Sequence, residues 1–154
     1  MKSYTKIPIV LFLLLSTINC SKRTYPSTEV NYLSGNEGTV TVRVVGMGSN
    51  EEKAIINAEQ KVFDVLFFRG LPESTQKLPL VGSDEYDEKA KYKNYFNEFY
   101  NGKRYKTFIM SSIPVSNLAK VNDGNKMITL DVKINLSALR RDLETFNVIR
   151  KFGY

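Results

Sequence analysis

The sequence lacks most of the residues on which familiar functional sites depend. It has one cysteine, Cys20, and no histidine among its 154 residues. Without histidine it has neither the usual general base of hydrolases nor the commonest zinc ligand. One cysteine cannot form a disulfide within the chain or make a multi-thiolate metal site. Carboxylate chemistry is the familiar catalytic option that remains, and the sequence predicts no cofactor.

The chain also lacks an apolar run long enough to cross a bilayer. Residues 7–15 form a run of nine residues, whereas a membrane-spanning helix needs about 20. Lys2 and Lys6 accompany this run without any acidic residue. A basic start followed by a short apolar stretch is typical of a secretory signal peptide. We therefore expect residues 1–19 to be a signal peptide and not part of the fold.

The apolar run leads into the sequence STINC, which ends on Cys20. This ending resembles the lipobox of bacterial lipoproteins, although Asn19 stands where that family prefers Gly, Ala or Ser. In the family, the cysteine sulfur receives a diacylglycerol, the preceding peptide is removed and the new amino terminus is acylated. The resemblance implies that Cys20 anchors the protein to a membrane. The alternative is an ordinary signal peptide cut near Ser16 or Asn19, which would leave a free cysteine.

The residues after Cys20 bear on where the anchored protein resides. Two or more acyl chains hold a protein firmly, because each buried methylene contributes roughly 0.8 kcal/mol. Ser21 replaces the aspartate that keeps many lipoproteins in the inner membrane. Lys22 and Arg23 stand where surface-exported lipoproteins of some groups carry acidic residues. The resemblance therefore implies a bacterial outer-membrane location, facing the periplasm.

Composition divides the remaining chain into a linker and one domain. Residues 20–37 are polar, include Pro26 and Gly35 and lack periodicity, as linkers do. Residues 38–154 have the length of a single domain. Removal of residues 1–19 takes two of the 22 basic residues and none of the 16 acidic ones, which leaves a net charge of +4. Such a mild excess is typical of a solvated surface.

Hydrophobic periodicity predicts the fold class. Apolar residues occupy every second position from Val40 to Val44 and again from Ile128 to Leu136, which predicts two strands that each have one buried face. Such strands need helices on only one side of the sheet. We therefore predict an α+β fold, a two-layer sandwich with a three-to-four-stranded, mainly antiparallel sheet and helices packed on one face.

Helix and turn signals predict the other elements. The first helix is expected to begin at a capping box of Ser49 and Glu52 and to end at Gly70, which supplies a left-handed stop. Pro114 is expected to break or bulge its strand. The other predicted segments are a loop over 71–83, a helix over 84–101, a long strand over 103–121, a tight turn at Asp123-Gly124 and a final helix over 137–146.

Two glycines lie between the first predicted strand and helix, as in a dinucleotide-binding turn. A full fingerprint has a third glycine, but this chain has Glu51 at that position, where it would repel a pyrophosphate. We interpret Gly46 and Gly48 as residues that permit a sharp turn.

Charged residues gather in two further patterns. Residues 89–106 interleave six basic residues with four tyrosines, a mixture that can bind nucleic acid. Helical spacing turns several of these aromatics inward, and a secreted, lipid-anchored protein rarely meets nucleic acid, so we expect no nucleic-acid partner. Contact with anionic lipid headgroups or acidic glycan is an alternative. Acidic residues at 51, 52, 84, 85, 87 and 88 lie at predicted helix starts, where the helix dipole accounts for them.

Four apolar side chains lie near the end of the sequence, at Val148, Ile149, Phe152 and Tyr154. In one interpretation they cover the sheet edge or the helices, because loose apolar chain is costly in water. In the other they form a short docking peptide for another envelope protein. The four residues are therefore candidate partner-binding residues.

Three features occur together over residues 38–143: a strand that ends in Gly46-x-Gly48, a helix with Ala54 and Ala58 four residues apart, and a closing apolar strand. The combination resembles a small envelope domain shared by certain membrane-associated lipoproteins and the N-terminal part of a flagellar T-ring assembly protein. The resemblance implies a non-catalytic role in assembly or anchoring, or as a surface antigen. It carries over no binding residue.

These observations favour one functional hypothesis and leave two others open. The leading hypothesis is a non-enzymatic, lipid-anchored envelope protein that acts as an interaction or assembly module for another cell-envelope protein. The second is a periplasmic or surface ligand- or glycan-binding lipoprotein with a pocket near residues 71–83. The third is an enzyme that uses paired acids, which would meet only in the fold.

Overall fold

A computed structural model describes residues 30–36, 38–121 and 124–151. The strands are β1 (Val30–Ser34), β2 (Thr39–Gly48), β3 (Ile109–Pro114), β4 (Ala119–Lys120) and β5 (Lys126–Asn135). The helices are α1 (Glu51–Phe68), α2 (Glu85–Lys91), α3 (Lys93–Tyr100) and α4 (Leu136–Thr145), and a 3₁₀ helix covers Arg104–Phe108.

The strands form one antiparallel sheet in the order β1-β2-β5-β3, and β4 also pairs with β5. The central strands β2 and β5 pair over their whole length, from Thr39 opposite Asn135 to Gly48 opposite Lys126. The predicted α+β sandwich is confirmed. The sheet contains five strands, because β1 and the short β4 are added to β2, β5 and β3.

One face of the sheet is buried beneath α1. The inward side chains of β2 and β5, among them Val42 and Val132, are fully buried. Gly46 lies on the same face, and a Cβ atom there would lie 2.0 Å from the carbonyl oxygen of Ala54 and 2.6 Å from the Cβ of Ala58. The glycine and the two alanines therefore allow the helix to approach the strand closely.

A cluster of aromatic rings joins α3 and the 3₁₀ helix to α1. Phe99 of α3 lies 5.1 Å from both Phe63 and Phe67 of α1, measured between ring centroids. Tyr105 of the 3₁₀ helix lies 5.8 Å from Phe63. Edge-to-face contacts of this kind are favourable beyond the area that they bury. The helical spacing of aromatics in residues 84–101 thus predicted a buried face correctly.

The strand β1 lies inside the segment expected to be a linker, residues 20–37. It pairs with β2, with Val30 opposite Val44 and Tyr32 opposite Val42, and both β1 side chains pack partly against the core. The strand is five residues long and irregular near Ser34. Two alternating apolar residues are too weak a pattern to distinguish such an edge strand from polar linker.

The helix expected over residues 84–101 is divided in two at Tyr92, where φ is −108° and ψ is 37°. No glycine or proline marks the break. The predicted capping box at Ser49 is also wrong by one residue, because the side chain of Asn50 caps α1 by accepting a hydrogen bond from the Lys53 N–H at 2.9 Å. The left-handed stop at Gly70 is confirmed, with φ at 78°.

The long strand expected over residues 103–121 begins only at Ile109, because a 3₁₀ helix occupies the preceding residues. The expected break at Pro114 is confirmed, since β3 ends there. Beyond it the Ser116 hydroxyl accepts a hydrogen bond from the Thr129 N–H at 2.9 Å, in place of a backbone carbonyl. Pairing then resumes in β4.

Candidate functional site

Two of the five predicted site residues, Val148 and Ile149, lie in the part of the chain that the structure describes. Val148 is 5% exposed, and its N–H donates to the Leu143 carbonyl at 2.9 Å. Ile149 is half-buried against the same core. For these two residues the structure matches the interpretation in which the apolar side chains cover the fold. Val148 has little surface left for a partner.

The other three predicted site residues are Cys20, Phe152 and Tyr154. They lie outside the described residues. Lipidation of Cys20 and a docking role of the last residues therefore stay predictions from the sequence.

The sheet face that points away from the helices, here called the outer sheet face, has an ion pair at its centre. Arg43 and Asp131 lie opposite each other in β2 and β5. The guanidinium donates two hydrogen bonds, Nε to Oδ1 at 2.7 Å and Nη2 to Oδ2 at 2.8 Å. These bonds lower the pKa of the Asp131 carboxyl. The pair is solvent-accessible, so it adds little to the stability of the fold.

The outer sheet face also carries exposed apolar side chains on β3 and just after it. Ile113, opposite Asp131, is 57% exposed, and Val115 is 44% exposed. Met47 and Met127 face each other across β2 and β5 and are partly exposed. An apolar region of this kind, bordered by charged residues, is typical of interaction surfaces.

The strand β3 forms one edge of the sheet. No described strand pairs with its outer side. Because the Val115 N–H donates to the Thr129 carbonyl, alternation along the chain directs the backbone groups of Ser112 away from β5. Pro114 has no N–H to offer at this edge. The free edge is therefore the short segment before the proline.

A cavity of about 820 Å³ lies between the loop over 71–83, the α2/α3 junction and the segment after α4, and is here called the loop cavity. The loop is fixed to α1, since the N–H groups of Leu80 and Val81 donate to the carbonyls of Leu66 and Phe67 at 3.0 Å each. A concave site thus exists where the ligand-binding hypothesis requires one.

One wall of the loop cavity contains a hydrogen-bonded chain of polar groups. The Gln76 side chain is buried, donates to the Leu78 carbonyl and accepts from Nη2 of Arg140. The Nε of Arg140 is buried and has no hydrogen-bond partner among the described residues. Sequence reasoning missed Arg140 because 64 positions separate it from Gln76.

Three buried or half-buried carboxylates each hold partners from another element. Glu59, which is 3% exposed, pairs with Lys106. Asp64 accepts hydrogen bonds from the Tyr100 hydroxyl at 2.6 Å and from Lys89 at 3.0 Å. Asp142 accepts hydrogen bonds from the Tyr95 hydroxyl at 2.8 Å and from Arg104 at 3.2 Å. Burial raises the pKa values of Tyr95 and Tyr100, and the carboxylates add to the effect. These groups join the helices to one another.

The charged patterns seen in the sequence have structural partners. Three of the six basic residues in the stretch over 89–106 pair with the carboxylates just described. Asp84 caps α2 by accepting a hydrogen bond from the Asp87 N–H, and Glu51 and Glu52 lie in the first turn of α1.

The described residues contain no group of three or more potential metal ligands. None of the described helices is long and apolar enough to cross a membrane.

The turn between β2 and α1 is filled by the chain itself. A Cβ atom on Gly48 would lie 2.5 Å from the backbone nitrogen of Ala54. Gly46 and Gly48 both lie within β2, so their main role is to let the helix approach the strand closely, and not only to permit a sharp turn as interpreted from the sequence. Comparison of the chain with protein-family models, curated proteins and solved structures found no match. The described residues define an α+β sandwich in which none of their helices covers the outer sheet face and a cavity lies in the helical layer.

Proposed function

We propose that the protein is a non-enzymatic, lipid-anchored envelope protein that binds another envelope protein through its outer sheet face. The observation that carries the proposal is the exposure of Ile113 and Val115 on the outer sheet face, beside a strand edge that no described strand pairs with. Exposed apolar residues cost solubility unless a partner covers them. The sheet face replaces the segment after α4 as the main candidate surface, because Val148 is buried there.

The edge of β3 gives this surface a specific way to bind. A partner segment in extended conformation can add a strand to a free edge, with main-chain hydrogen bonds for affinity and side-chain contacts for selectivity. Pro114 offers no N–H at this edge, so the outward N–H next to it is that of Ser112. A partner strand is therefore confined to the register set by Ile109 to Ile113.

The anchor would act by localisation. The strand β1 begins ten residues after Cys20, and a segment of that length reaches about 33 Å when fully extended. Such a short tether keeps the domain next to the membrane and raises the effective concentration of the binding surface for a membrane-associated partner.

Site-specific photo-crosslinking in intact cells tests the partner role. A photo-crosslinking amino acid at position 113 is expected to give a single covalent adduct with one envelope protein. The matched control is position 86, because Tyr86 is 83% exposed and belongs to α2 and not to the sheet. Equal adduct patterns at both positions, or no adduct at 113, contradict the proposal.

Intact mass of the membrane-extracted protein tests the anchor separately. The expected mass is that of a chain beginning at Cys20 plus acyl groups, and Cys20→Ala is expected to release the protein from membranes. An unacylated mature chain, or a Cys20→Ala variant that stays membrane-bound, contradicts lipid anchoring and leaves the sheet-face test unaffected.

A further inference from the structure

The loop cavity lies in the helical layer and plays no part in the function proposed for the outer sheet face. Its volume of about 820 Å³ falls within the range of about 300–1,000 Å³ typical of small-molecule sites. Two kinds of surface line it, apolar side chains and charged ones.

The charged side chains of the loop cavity are mainly basic. Two carboxylates, Glu88 and Glu144, lie among four cations. The cations come from the loop, from α2 and from α4 and the segment after it, and they are Lys77, Lys91, Arg140 and Arg150. An excess of positive charge on a concave surface favours an anionic ligand.

Arg140 has the geometry of an anion-binding residue. Gln76, which is 6% exposed, holds its Nη2, and the Gln76 amide is fixed in turn by the Leu78 carbonyl. The guanidinium carries five N–H donors in a planar fork that fits a carboxylate or a phosphate. Its Nε has no partner among the described residues, and leaving a buried donor unpaired is costly.

The apolar part of the lining is continuous with the core. Leu80 and Ile149 are half-buried and pack against core residues, and Val148 lies beside them. Leu78, which is 75% exposed, stands on the loop that borders the cavity. A ligand with an apolar body would therefore exclude water from both the loop and the segment after α4.

We propose that the loop cavity binds a small amphipathic anion, whose carboxylate or phosphate group pairs with Arg140 and Lys91 and whose apolar body lies against Leu80 and Ile149. The proposal stands independently of the partner-binding role.

Isothermal titration of the full chain with three probes of equal chain length tests this site. The probes are decanoate, decyl phosphate and decanol, each below its micelle-forming concentration. Decanoate or decyl phosphate is expected to bind at least about tenfold more tightly than decanol, because a charged hydrogen-bonded group adds that much affinity. The tighter of the two anions identifies the headgroup chemistry.

Two variants on α4 form a matched pair. Arg140→Gln removes the cavity guanidinium, whereas Arg141→Gln removes an exposed neighbour that does not line the cavity. The first is expected to weaken anion binding at least about tenfold, and the second less than about twofold because an exposed charge acts weakly through water. Ile149→Asp places a negative charge in the apolar wall and is expected to abolish binding. This variant provides an independent test if Arg140→Gln alters the fold.

Three results would overturn the proposal. They are absence of anion binding up to about 1 mM, binding of decanol as tight as that of the anions, and equal weakening by Arg140→Gln and Arg141→Gln. The third would mean that the anions are attracted by surface charge alone.

Discussion

Two tyrosines in the aromatic cluster differ in whether their hydroxyls have partners. The Tyr100 hydroxyl donates to Oδ1 of Asp64 at 2.6 Å. The Tyr105 hydroxyl is buried and has no hydrogen-bond partner among the described residues. A bonded hydroxyl contributes to stability, whereas an unpaired buried one costs desolvation free energy with nothing to offset it.

Replacement of each tyrosine by phenylalanine should therefore have opposite effects on the free energy of unfolding. Tyr100→Phe removes a hydrogen bond to a carboxylate and is expected to lower it by about 1–2 kcal/mol. Tyr105→Phe removes only an unpaired group and is expected to leave it unchanged or to raise it by up to about 1 kcal/mol. Urea denaturation of the two variants measures the difference, and an equal loss in both contradicts the assignment of partners.

Tyr105 also makes the free energy of unfolding depend on pH. Burial, with the nearby Glu59 charge, raises the pKa of Tyr105 to about 12, compared with about 10 in an unfolded chain. The folded state thus disfavours ionisation of this hydroxyl. The free energy of unfolding is therefore unaffected by its titration below about pH 10 and falls as the pH rises from about 10 towards 12. Tyr105→Phe is expected to flatten the fall in stability over that window. An unchanged slope would show that this hydroxyl does not titrate with folding.

The start of α1 shows how closely a local sequence signal resolves a helix boundary. Ser49 and Asn50 are both good N-caps, and Glu52 completed an apparent capping box with Ser49. The structure uses Asn50. When two neighbouring residues have equal capping preference, the backbone conformation between the strand and the helix decides which of them caps. Sequence spacing does not contain that information.

Substitution at the two positions distinguishes the caps. Asn50→Ala removes the acceptor of the Lys53 N–H and is expected to lower the free energy of unfolding by about 1 kcal/mol. Ser49→Ala is expected to change it by less than about 0.5 kcal/mol, since Ser49 is exposed. Thermal or urea unfolding provides the measurement. A larger loss at Ser49 than at Asn50 would restore the capping box predicted from the sequence.

The elements with strong periodicity were predictable, and those decided by tertiary contacts were not. The strands β2 and β5 alternate strictly, and Gly46, Ala54 and Ala58 form a small-residue contact between strand and helix. The break at Tyr92 has no glycine or proline to mark it, and it separates α2, which has no buried residue, from α3, which buries three aromatic side chains. Packing against α1 therefore decides where the helix breaks.

The same limit applies to the candidate sites. The loop over 71–83 was predictable from its prolines and glycine, and the loop cavity lies beside it. Arg140, which the proposed ligand requires, lies on the last helix and joins the loop only in the folded chain. Glu59 and Lys106 are likewise 47 positions apart. Pairs of that separation have no local signature.

The two candidate surfaces lie on opposite sides of the sheet. The outer sheet face includes Arg43, Asp131 and Ile113, whereas the loop cavity lies in the helical layer. A partner on the sheet face and an anion in the loop cavity would therefore not compete for the same atoms. Two helices connect the surfaces: α1 packs on β2 and holds the loop through Leu66 and Phe67, and α4, which lines the cavity, follows β5 directly.

The strand β1 lies before β2, and its contribution to stability determines whether the folded domain includes it. It pairs with β2 and covers the core next to Val42 and Val44. A chain that begins at residue 36 loses this strand and exposes a new edge on β2, while a chain that begins at residue 28 keeps it and serves as the control. Unpaired edges of apolar strands promote association between molecules.

We expect the chain that begins at residue 36 to be less stable than the control by about 2 kcal/mol, because partly buried Val30 and Tyr32 no longer cover the core. It should also associate as its concentration rises. Urea denaturation and sedimentation velocity measure the two effects. If the shorter chain is as stable and as monomeric as the control, β1 adds nothing to the domain, and the linker extends to residue 37 as the sequence indicated. If it is destabilised, β1 belongs to the domain, and the tether proposed for a lipid-anchored chain is correspondingly shorter.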